Sequence, residues 1–259
     1  MHNLRYLIPA ALLLAGIPLE SRAAGVTIES FSTMSAFQSS AFYSYATGGA
    51  GLTGRKATGV RGVRQGPSDV PAASAGAANN TTVTTEVLTA AKDVPDVFSL
   101  SSTASYYDKK FVSVGTSTSS TNPPYITLDL TPVATASAGG YSGGYDIAVF
   151  DLGKNLATGT GNQNTEATIF DVELVSEGVF YNVGTITATG GNFINVILLN
   201  VTGITGIPAY IDAIKITDVT GSGTSASGGL DVDGALTLNV YTATAAVPTS
   251  WGRLKVLYK

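Results

Sequence analysis

The sequence predicts an all-β protein, a jelly-roll β-sandwich of two antiparallel sheets, with an N-terminal leader and a short C-terminal tail. Three observations support this fold class. Short runs alternate apolar and polar residues with period two, stretches rich in Gly, Ser, Thr and Ala separate them, and no long helical pattern follows the leader. Short alternating strands joined by such turns are typical of sandwiches and jelly rolls.

The leader has the form of a secretory signal peptide. A short basic start, 1–5, precedes an apolar run, 6–19, and Ser21 and Ala23 occupy the −3 and −1 positions of a cut after Ala23. This run of roughly 14 residues is too short to span a membrane easily, since spanning takes about 20. We therefore expect a signal peptide over 1–23, a sandwich domain over 24–241, a tail over 242–259 and no membrane span after cleavage. The expected location is extracellular or on a bacterial cell surface.

The strand pattern is clearest in the second half of the chain. The alternating runs are 125–130, 145–151, 168–175, 193–201, 210–218 and 230–240. Nearer the N-terminus, 26–28 and 82–88 are further candidate strands. Loops are predicted at 71–80, 115–124, 136–144, 156–164 and 220–229.

The tail differs in composition from the domain. It holds the one Trp of the chain, Trp251, and its apolar residues share a helical face behind Ser250. Two interpretations stay open: a last element docked on the domain, or a sorting or anchoring tail.

Composition excludes several classes of function. The one histidine is His2, inside the leader, and the chain has no cysteine. The exported chain therefore lacks Ser-His-Asp and Cys-His catalysis, as well as zinc, copper and iron sites built on His or Cys. The net charge of −4 offers no basic stripe for nucleic acid. We predict that the protein is not an enzyme, and that any metal is held by oxygen ligands, which favours calcium.

Two glycine motifs fail the structural context that their usual chemistry needs. The G-x-G-x-x-G pattern at 49–54 has no clear strand before it and no helix after it, so a glycine loop is predicted instead of a nucleotide site. The G-x-S-x-G pattern at 140–144 has no histidine partner and is followed by a strand, so it is predicted to be a turn.

The carboxylates are the sharper signal. Asp151 and Asp218 each end a row of core-facing apolar residues, and a buried charge is costly unless it is paired or binds a cation. Asp231 and Asp233 share one side of a strand start within the glycine-rich segment 228–234. These residues suit calcium, but solvated carboxylates that stabilise turns explain the pattern as well. A glycosidase pair is a third and less favoured interpretation.

Several segments, taken in order, resemble a known family. They are 111–115, 125–129, 144–151, 166–167, 170–181, 211–218 and 229–235. Over roughly residues 40–240 the chain resembles the jelly-roll domain of bacterial cell-surface proteins that often carry PEP-CTERM sorting tails. This chain departs from the family's pattern at Asp151, where a Glu is usual, and at Glu177-Gly178, where an Asp-Gly is usual. It also lacks a Pro-Glu-Pro tail and a terminal membrane helix.

The resemblance implies a sandwich similar to carbohydrate-binding modules, with structural calcium. Carried over residue by residue, it implies calcium ligands at Asp146, Asp151, Asp218, Asp231 and Asp233, and also at Glu166.

The resulting hypothesis is an exported binding module whose loops are fixed by calcium and whose partner is a glycan or another surface or matrix component. Tyr106, Tyr107, Tyr141 and Tyr145 lie in or beside predicted loops, where tyrosines either stack on sugars or pack turns. The alternative is a structural subunit of a surface layer, matrix or fibre, since low charge and open edge strands suit self-association.

Overall fold

The computed structural model describes residues 25–48, 55–66, 76–77, 79–93, 95, 98, 111–115, 122–135, 140–142, 144–152, 168–188, 194–201, 206–219 and 230–242. These residues form strands and three short helices. In chain order they are β1 (Gly25–Phe31), α1 (Met34–Gln38), α2 (Ala41–Gly48), β2 (Gly59–Arg64), α3 (Thr85–Lys92), β3 (Val112–Ser113), β4 (Tyr125–Ala134), β5 (Ile147–Asp151), β6 (Thr168–Ser176), β7 (Val179–Ala188), β8 (Ile194–Asn200), β9 (Tyr210–Asp218) and β10 (Asp231–Thr237).

The strands form two five-stranded antiparallel sheets. Sheet A has the order β1-β8-β5-β10-β3, and sheet B has the order β2-β4-β9-β6-β7. Apolar side chains of both sheets meet in one buried core, which includes Ile126, Leu128, Ile147, Phe170, Leu174 and Ile197. The predicted sandwich of two antiparallel sheets is therefore confirmed.

The runs that alternate apolar and polar residues form strands, because each of them turns one face toward this core. Every run predicted in the second half of the chain overlaps an observed strand, and the candidate at 26–28 belongs to β1. β4 continues to Ala134, beyond the predicted end.

The candidate strand at 82–88 was wrong, because this segment enters helix α3. The Thr84 hydroxyl caps the helix by accepting a hydrogen bond from the Val87 amide, at 3.3 Å. Val87, Ala90 and Ala91 are buried at helical spacing and join the core between the sheets. The threonines before the helix gave a strand-like composition, but the capping position decided the local structure.

Helices α1 and α2 cover the outer face of sheet A. Their buried Phe37 and Phe42 join Phe150 of β5 and Leu198 of β8 in a second, aromatic-rich core. Phe37 packs edge-on against Phe98, with ring centroids 5.4 Å apart. As a result β5 is buried on both faces, which explains why its sequence is apolar at successive positions.

The hairpin between β6 and β7 turns at Glu177 and Gly178, whose φ angles are +51° and +82°. Two successive positive φ angles match the turn that suits the twist of a two-residue hairpin. The sequence pattern had placed β6 but not β7, which follows this turn.

The G-x-S-x-G segment is a turn, as predicted. Tyr141 and Tyr145 form a β-bridge across it. Gly140 has a φ of +81°, and a Cβ there would collide with the carbonyl oxygen of Tyr145, so this position needs glycine.

Several predictions fall outside the described residues: the signal peptide at 1–23, the glycine loop at 49–54, Tyr106, Tyr107, Glu166 and the segment 243–259 that contains Trp251. Within the part of the chain that the structure describes, no helix is both long and apolar enough to cross a membrane.

Replacing Phe37 by Ala tests the packing of the helices on sheet A. Phe37 is fully buried and contacts several rings, so we expect Phe37→Ala to lower the free energy of unfolding by about 3–5 kcal/mol in urea denaturation. The exposed Val179 is the control, and Val179→Ala should change it by less than about 0.5 kcal/mol. A loss below about 1 kcal/mol for Phe37→Ala would contradict this packing.

Candidate functional site

Three of the predicted carboxylates lie at one end of the sandwich. Asp151 is the last residue of β5 in sheet A, Asp218 is the last residue of β9 in sheet B, and Asp231 is the first residue of β10. All three residues are at least nine-tenths buried. We call Asp151, Asp218 and Asp231 the carboxylate cluster.

Two consecutive backbone amides connect the cluster. The Leu230 amide donates to Oδ2 of Asp218, and the Asp231 amide donates to Oδ1 of Asp151, both at 3.3 Å. The start of β10 therefore contacts one carboxylate from each sheet. This arrangement joins the ends of three strands that are far apart in sequence.

Asp151 is held by neutral donors. Its Oδ2 accepts a hydrogen bond from Asn195 Nδ2 of β8 at 3.0 Å, in addition to the contact with the Asp231 amide. Burial raises the pKa of Asp151 to about 6, the nearby Asp218 carboxylate contributes to the rise, and the two hydrogen bonds oppose it. The charge on Asp151 is thus only partly compensated.

The pKa of Asp231 is raised further than that of Asp151. Burial raises its pKa to about 8, the Asp151 carboxylate adds to this, and a hydrogen bond with Ser113 opposes it. Ser113 lies directly across the ladder from Asp231, on β3. At neutral pH this group therefore carries a proton for most of the time unless a cation stabilises its charge.

Asp146 lies apart from the cluster. It precedes β5, whereas Asp151 ends that strand, so about five strand residues and roughly 16 Å of backbone separate them. Its Oδ2 accepts from the Val201 amide at 2.8 Å and its Oδ1 from Asn239 Nδ2 at 2.9 Å. One ion does not reach both ends of β5, and Asp146 ties together neighbouring strand ends instead.

Asp233 follows the cluster on β10, beside an irregularity in the pairing of β10 with β5. Gly234, next along the chain, faces the backbone after α3, near the carbonyl oxygens of Ala91 and Asp93. Among the described residues, no group of three or more His, Cys, Asp or Glu side chains is arranged to hold a metal ion. The calcium assignments therefore stay predictions.

Sequence reasoning missed Asn195 and Ser113, the side chains that bond the cluster. Asn195 stands at the start of a continuous apolar strand, where a buried amide needs a partner. The polar Asn195 within an apolar strand was therefore a signal that the sequence offered. Ser113 offered no such signal, because serine is common at exposed strand positions.

The outer face of sheet B forms a second candidate site. Strand alternation turns Tyr125 and Thr127 of β4, Lys215 of β9, Glu173 of β6 and Phe180 of β7 away from the core. Lys215 and Glu173 are direct cross-strand neighbours, and their Nζ and Oε2 atoms form an ion pair at 2.6 Å. We call this surface the outer face.

Two aromatic rings flank the ion pair. Lys215 Nζ lies 5.4 Å from the centroid of the Tyr125 ring and 5.4 Å from the centroid of the Phe180 ring. Phe180 is 51% exposed. Tyr125 lies against Gly62 of β2, where a Cβ would come within 3.4 Å of the ring. A charged pair with an aromatic ring on either side is an arrangement suited to ligands with both apolar and hydroxyl surfaces.

Another charged group borders the outer face. Arg61 of β2 bonds to Asp129 at 2.8 Å and to Asp212 at 3.3 Å. These side chains are 25–39% exposed, so the network is partly hydrated. Thr127 and Ala213 lie between these groups on the central strands, and both are buried.

Tyr141 and Tyr145, the two described tyrosines among those singled out in the sequence, lie elsewhere. Tyr141 is buried in the aromatic core and packs edge-on against Phe42, with centroids 5.2 Å apart. Its hydroxyl donates to Glu29 at 3.2 Å. Tyr145 shares a hydrogen bond with the Thr27 hydroxyl at 2.6 Å. For Tyr141, packing of a turn is therefore the observed role.

Comparison with known proteins gives little beyond the fold. No protein-family model matches the chain, and no curated protein matches it closely enough to count as a relative. Among solved structures, a family 32 carbohydrate-binding module from C. perfringens NanJ, in complex with galactose, is similar at 17% identity with a TM-score of 0.27. That match covers 45% of this chain and 66% of the module.

A second module, the family 32 carbohydrate-binding module from Streptococcus pneumoniae EndoD, is similar at 13% identity with a TM-score of 0.30. The match covers 56% of this chain and 86% of the module. Sugar binding is a property of those proteins, and this degree of likeness does not carry it to this chain. The chain's own side chains have to support any function.

The carboxylate cluster predicts an unusual pH dependence in metal-free protein. The pKa of Asp231 rises from 3.8 to about 8 on folding and that of Asp151 to about 6, so the folded state binds protons more tightly than the unfolded state. The free energy of unfolding should therefore fall as pH rises from about 4 to about 8, by on the order of a few kcal/mol.

Urea denaturation with a chelator across this pH range measures the effect. Asp231→Asn should flatten the fall, whereas Asp171→Asn, at a carboxylate bonded to Thr185 on the outer face, should leave it in place. Equal slopes for wild type and Asp231→Asn would refute the assignment.

Proposed function

We propose that this chain is an exported, non-catalytic binding module of the bacterial cell surface or exterior, which binds carbohydrate on the outer face of sheet B. The single observation that carries the proposal is the pair of aromatic rings, Tyr125 and Phe180, on either side of the Lys215–Glu173 ion pair. Export is supported by the signal-peptide pattern at 1–23.

The chemistry of the outer face suits a sugar. Aromatic rings offer apolar surface to the C–H face of a pyranose, while charged and hydroxyl groups bond to its hydroxyls. Lys215 and Glu173 supply a donor and an acceptor 2.6 Å apart, which matches adjacent hydroxyls of a sugar. Because Lys215 and Arg61 each pair with carboxylates of this face, the face favours neutral sugars over anionic ones.

We further propose that a calcium ion binds at the carboxylate cluster and serves a structural role. The donor chemistry supports this, since Asp151 and Asp231 are buried carboxylates with raised pKa values and the groups that oppose these rises are neutral hydrogen-bond donors. The three side chains do not form a ready-made metal site, so calcium would have to draw them together. Calcium would add the missing positive charge there. Asp151, Asp218 and Asp231 are the residues that would hold it, together with backbone carbonyls.

This role would be mechanical rather than catalytic. The cluster joins the ends of β5 and β9, which belong to different sheets, through the amides at the start of β10. Strengthening this junction would hold the two sheets together and fix the loops at that end. The proposal does not place the sugar there.

Binding of defined oligosaccharides tests the carbohydrate proposal. A panel of neutral and uronic-acid-containing oligosaccharides is first scanned on an array, and the best binder is then titrated by calorimetry. Phe180→Ala should weaken binding about tenfold, the loss expected for one aromatic contact. Val179→Ala is the matched control, because Val179 is equally exposed but lies on the other face of the strand, and its affinity should not change.

The carbohydrate proposal fails if no member of the panel binds. It also fails if the two variants bind the selected sugar with equal affinity. Urea denaturation of both variants confirms that the fold is intact.

Thermal unfolding with and without calcium tests the metal proposal. At a calcium concentration 100 times its dissociation constant, linkage gives about 2.7 kcal/mol of stability, or a rise in Tm of roughly 5–10 °C for a domain of this size. Asp151→Asn should abolish the rise, while Asp171→Asn should retain it. If the wild-type Tm changes neither with calcium nor with a chelator, the calcium proposal is wrong.

A further inference from the structure

Strand β7 forms an uncharged edge of sheet B. It pairs with β6 and, among the described strands, with no other. Its ten residues contain no charged side chain and no proline. The N–H and C=O groups that point away from β6 along such an edge can pair with another strand.

The other sheet edges in the described part of the chain are different. β2 carries Arg61 and Arg64, and the segment after it is covered where Asn80 accepts a hydrogen bond from the Gln65 amide at 2.8 Å. β1 carries Glu29, and β3 is two residues long. Charges and short length are the usual protections of an edge, and β7 has neither.

The first half of β7 is also the exposed half. Val179 and Phe180 are 54% and 51% exposed, the largest values among the large apolar side chains of the described residues. Tyr181 and Val183 are partly buried at the rim of the core. In the second half, by contrast, Ile186 and Ala188 are buried.

A bulge marks the boundary between these halves. Glu173 pairs with Asn182 and Val172 with Gly184, so Val183 is the extra residue on β7. At Gly184 a Cβ would meet nothing within 4 Å, so the described residues leave this position open. Bulges limit continuous pairing along an edge, which confines a new strand to 179–182.

We propose that two copies of this chain pair antiparallel through residues 180–182 of β7, about a twofold axis at Tyr181. A twofold contact brings each edge against itself, and this edge carries no charge that would repel its own copy. The partner strand forms hydrogen bonds with the N–H and C=O groups along the edge of β7. It also covers the partly buried side chains of Tyr181 and Val183. Sheet B then continues across the axis into a ten-stranded sheet.

A second copy fits better than a charged peptide, because the edge offers no ionic partner to select one. The pairing does not depend on sugar binding. It aligns two outer faces on one continuous sheet, so each dimer would present two copies of whatever that face binds.

Cysteine cross-linking of the full-length protein tests the contact. The chain contains no cysteine, so a single introduced thiol reports one position. Asn182→Cys lies on the exposed edge, and Thr85→Cys, on α3, is the matched control. With a thiol cross-linker that spans about 8 Å, Asn182→Cys should give a covalent dimer and Thr85→Cys should remain monomeric.

The equilibrium between monomer and dimer is measured by light scattering after size-exclusion chromatography in sugar-free buffer. Wild type should be a dimer, and Asn182→Lys should weaken dimerisation about tenfold, since two like charges then lie diagonally across the axis, about 7–8 Å apart. Within its own sheet the new lysine faces Glu173, so the fold should persist. Asn182→Gln keeps the edge neutral and should dimerise like wild type.

A wild type that stays monomeric at all concentrations would overturn the proposal, as would equal cross-linking of the two cysteine variants. A monomer whose β7 amides exchange slowly with deuterium would show that another segment of the same chain covers the edge, which also overturns it. None of these results depends on whether sugar binds.

Discussion

The burial of carboxylates where the two sheets meet is the constraint on which this end of the molecule depends. Asp151 and Asp218 continue the inward rows of β5 and β9, so the pleat that builds the core also carries their charges into it. Two adjacent backbone amides at the start of β10 bond one carboxylate each. The register of three strands is thereby linked to groups that are expensive to bury.

A buried aspartate at the other end of β5 has different hydrogen-bond partners. Asp146 is fully buried and accepts bonds from the Val201 amide and from Asn239. In the carboxylate cluster, burial and neighbouring charge raise the pKa of Asp151 and Asp231. Asp146 therefore completes a strand junction, whereas Asp151 and Asp231 are the aspartates proposed to bind a cation.

The two faces of sheet B differ in their side chains and in the roles that these side chains have. Its inner face supplies Ile126, Phe170 and Leu174 to the core, while its outer face displays the ion pair and rings proposed to bind sugar. The outer face of sheet A is instead covered by α1 and α2, which form an aromatic core on it. The surface proposed to bind sugar and the edge proposed to pair with a second copy therefore both lie on sheet B.

The sequence by itself determined the fold class, most strand positions and the inward direction of Asp151 and Asp218, because side-chain alternation is a local property of the backbone. It missed α3, where the threonine cap at Thr84 overrode strand-like composition, and it missed β7 behind the Glu177-Gly178 turn. Only the tertiary structure decided which aspartates meet. It placed Asp146 and Asp151 at opposite ends of one strand, and it brought Lys215, Tyr125 and Phe180 together from three strands. These neighbours depend on strand order and register, which arise from pairings between residues far apart in the chain.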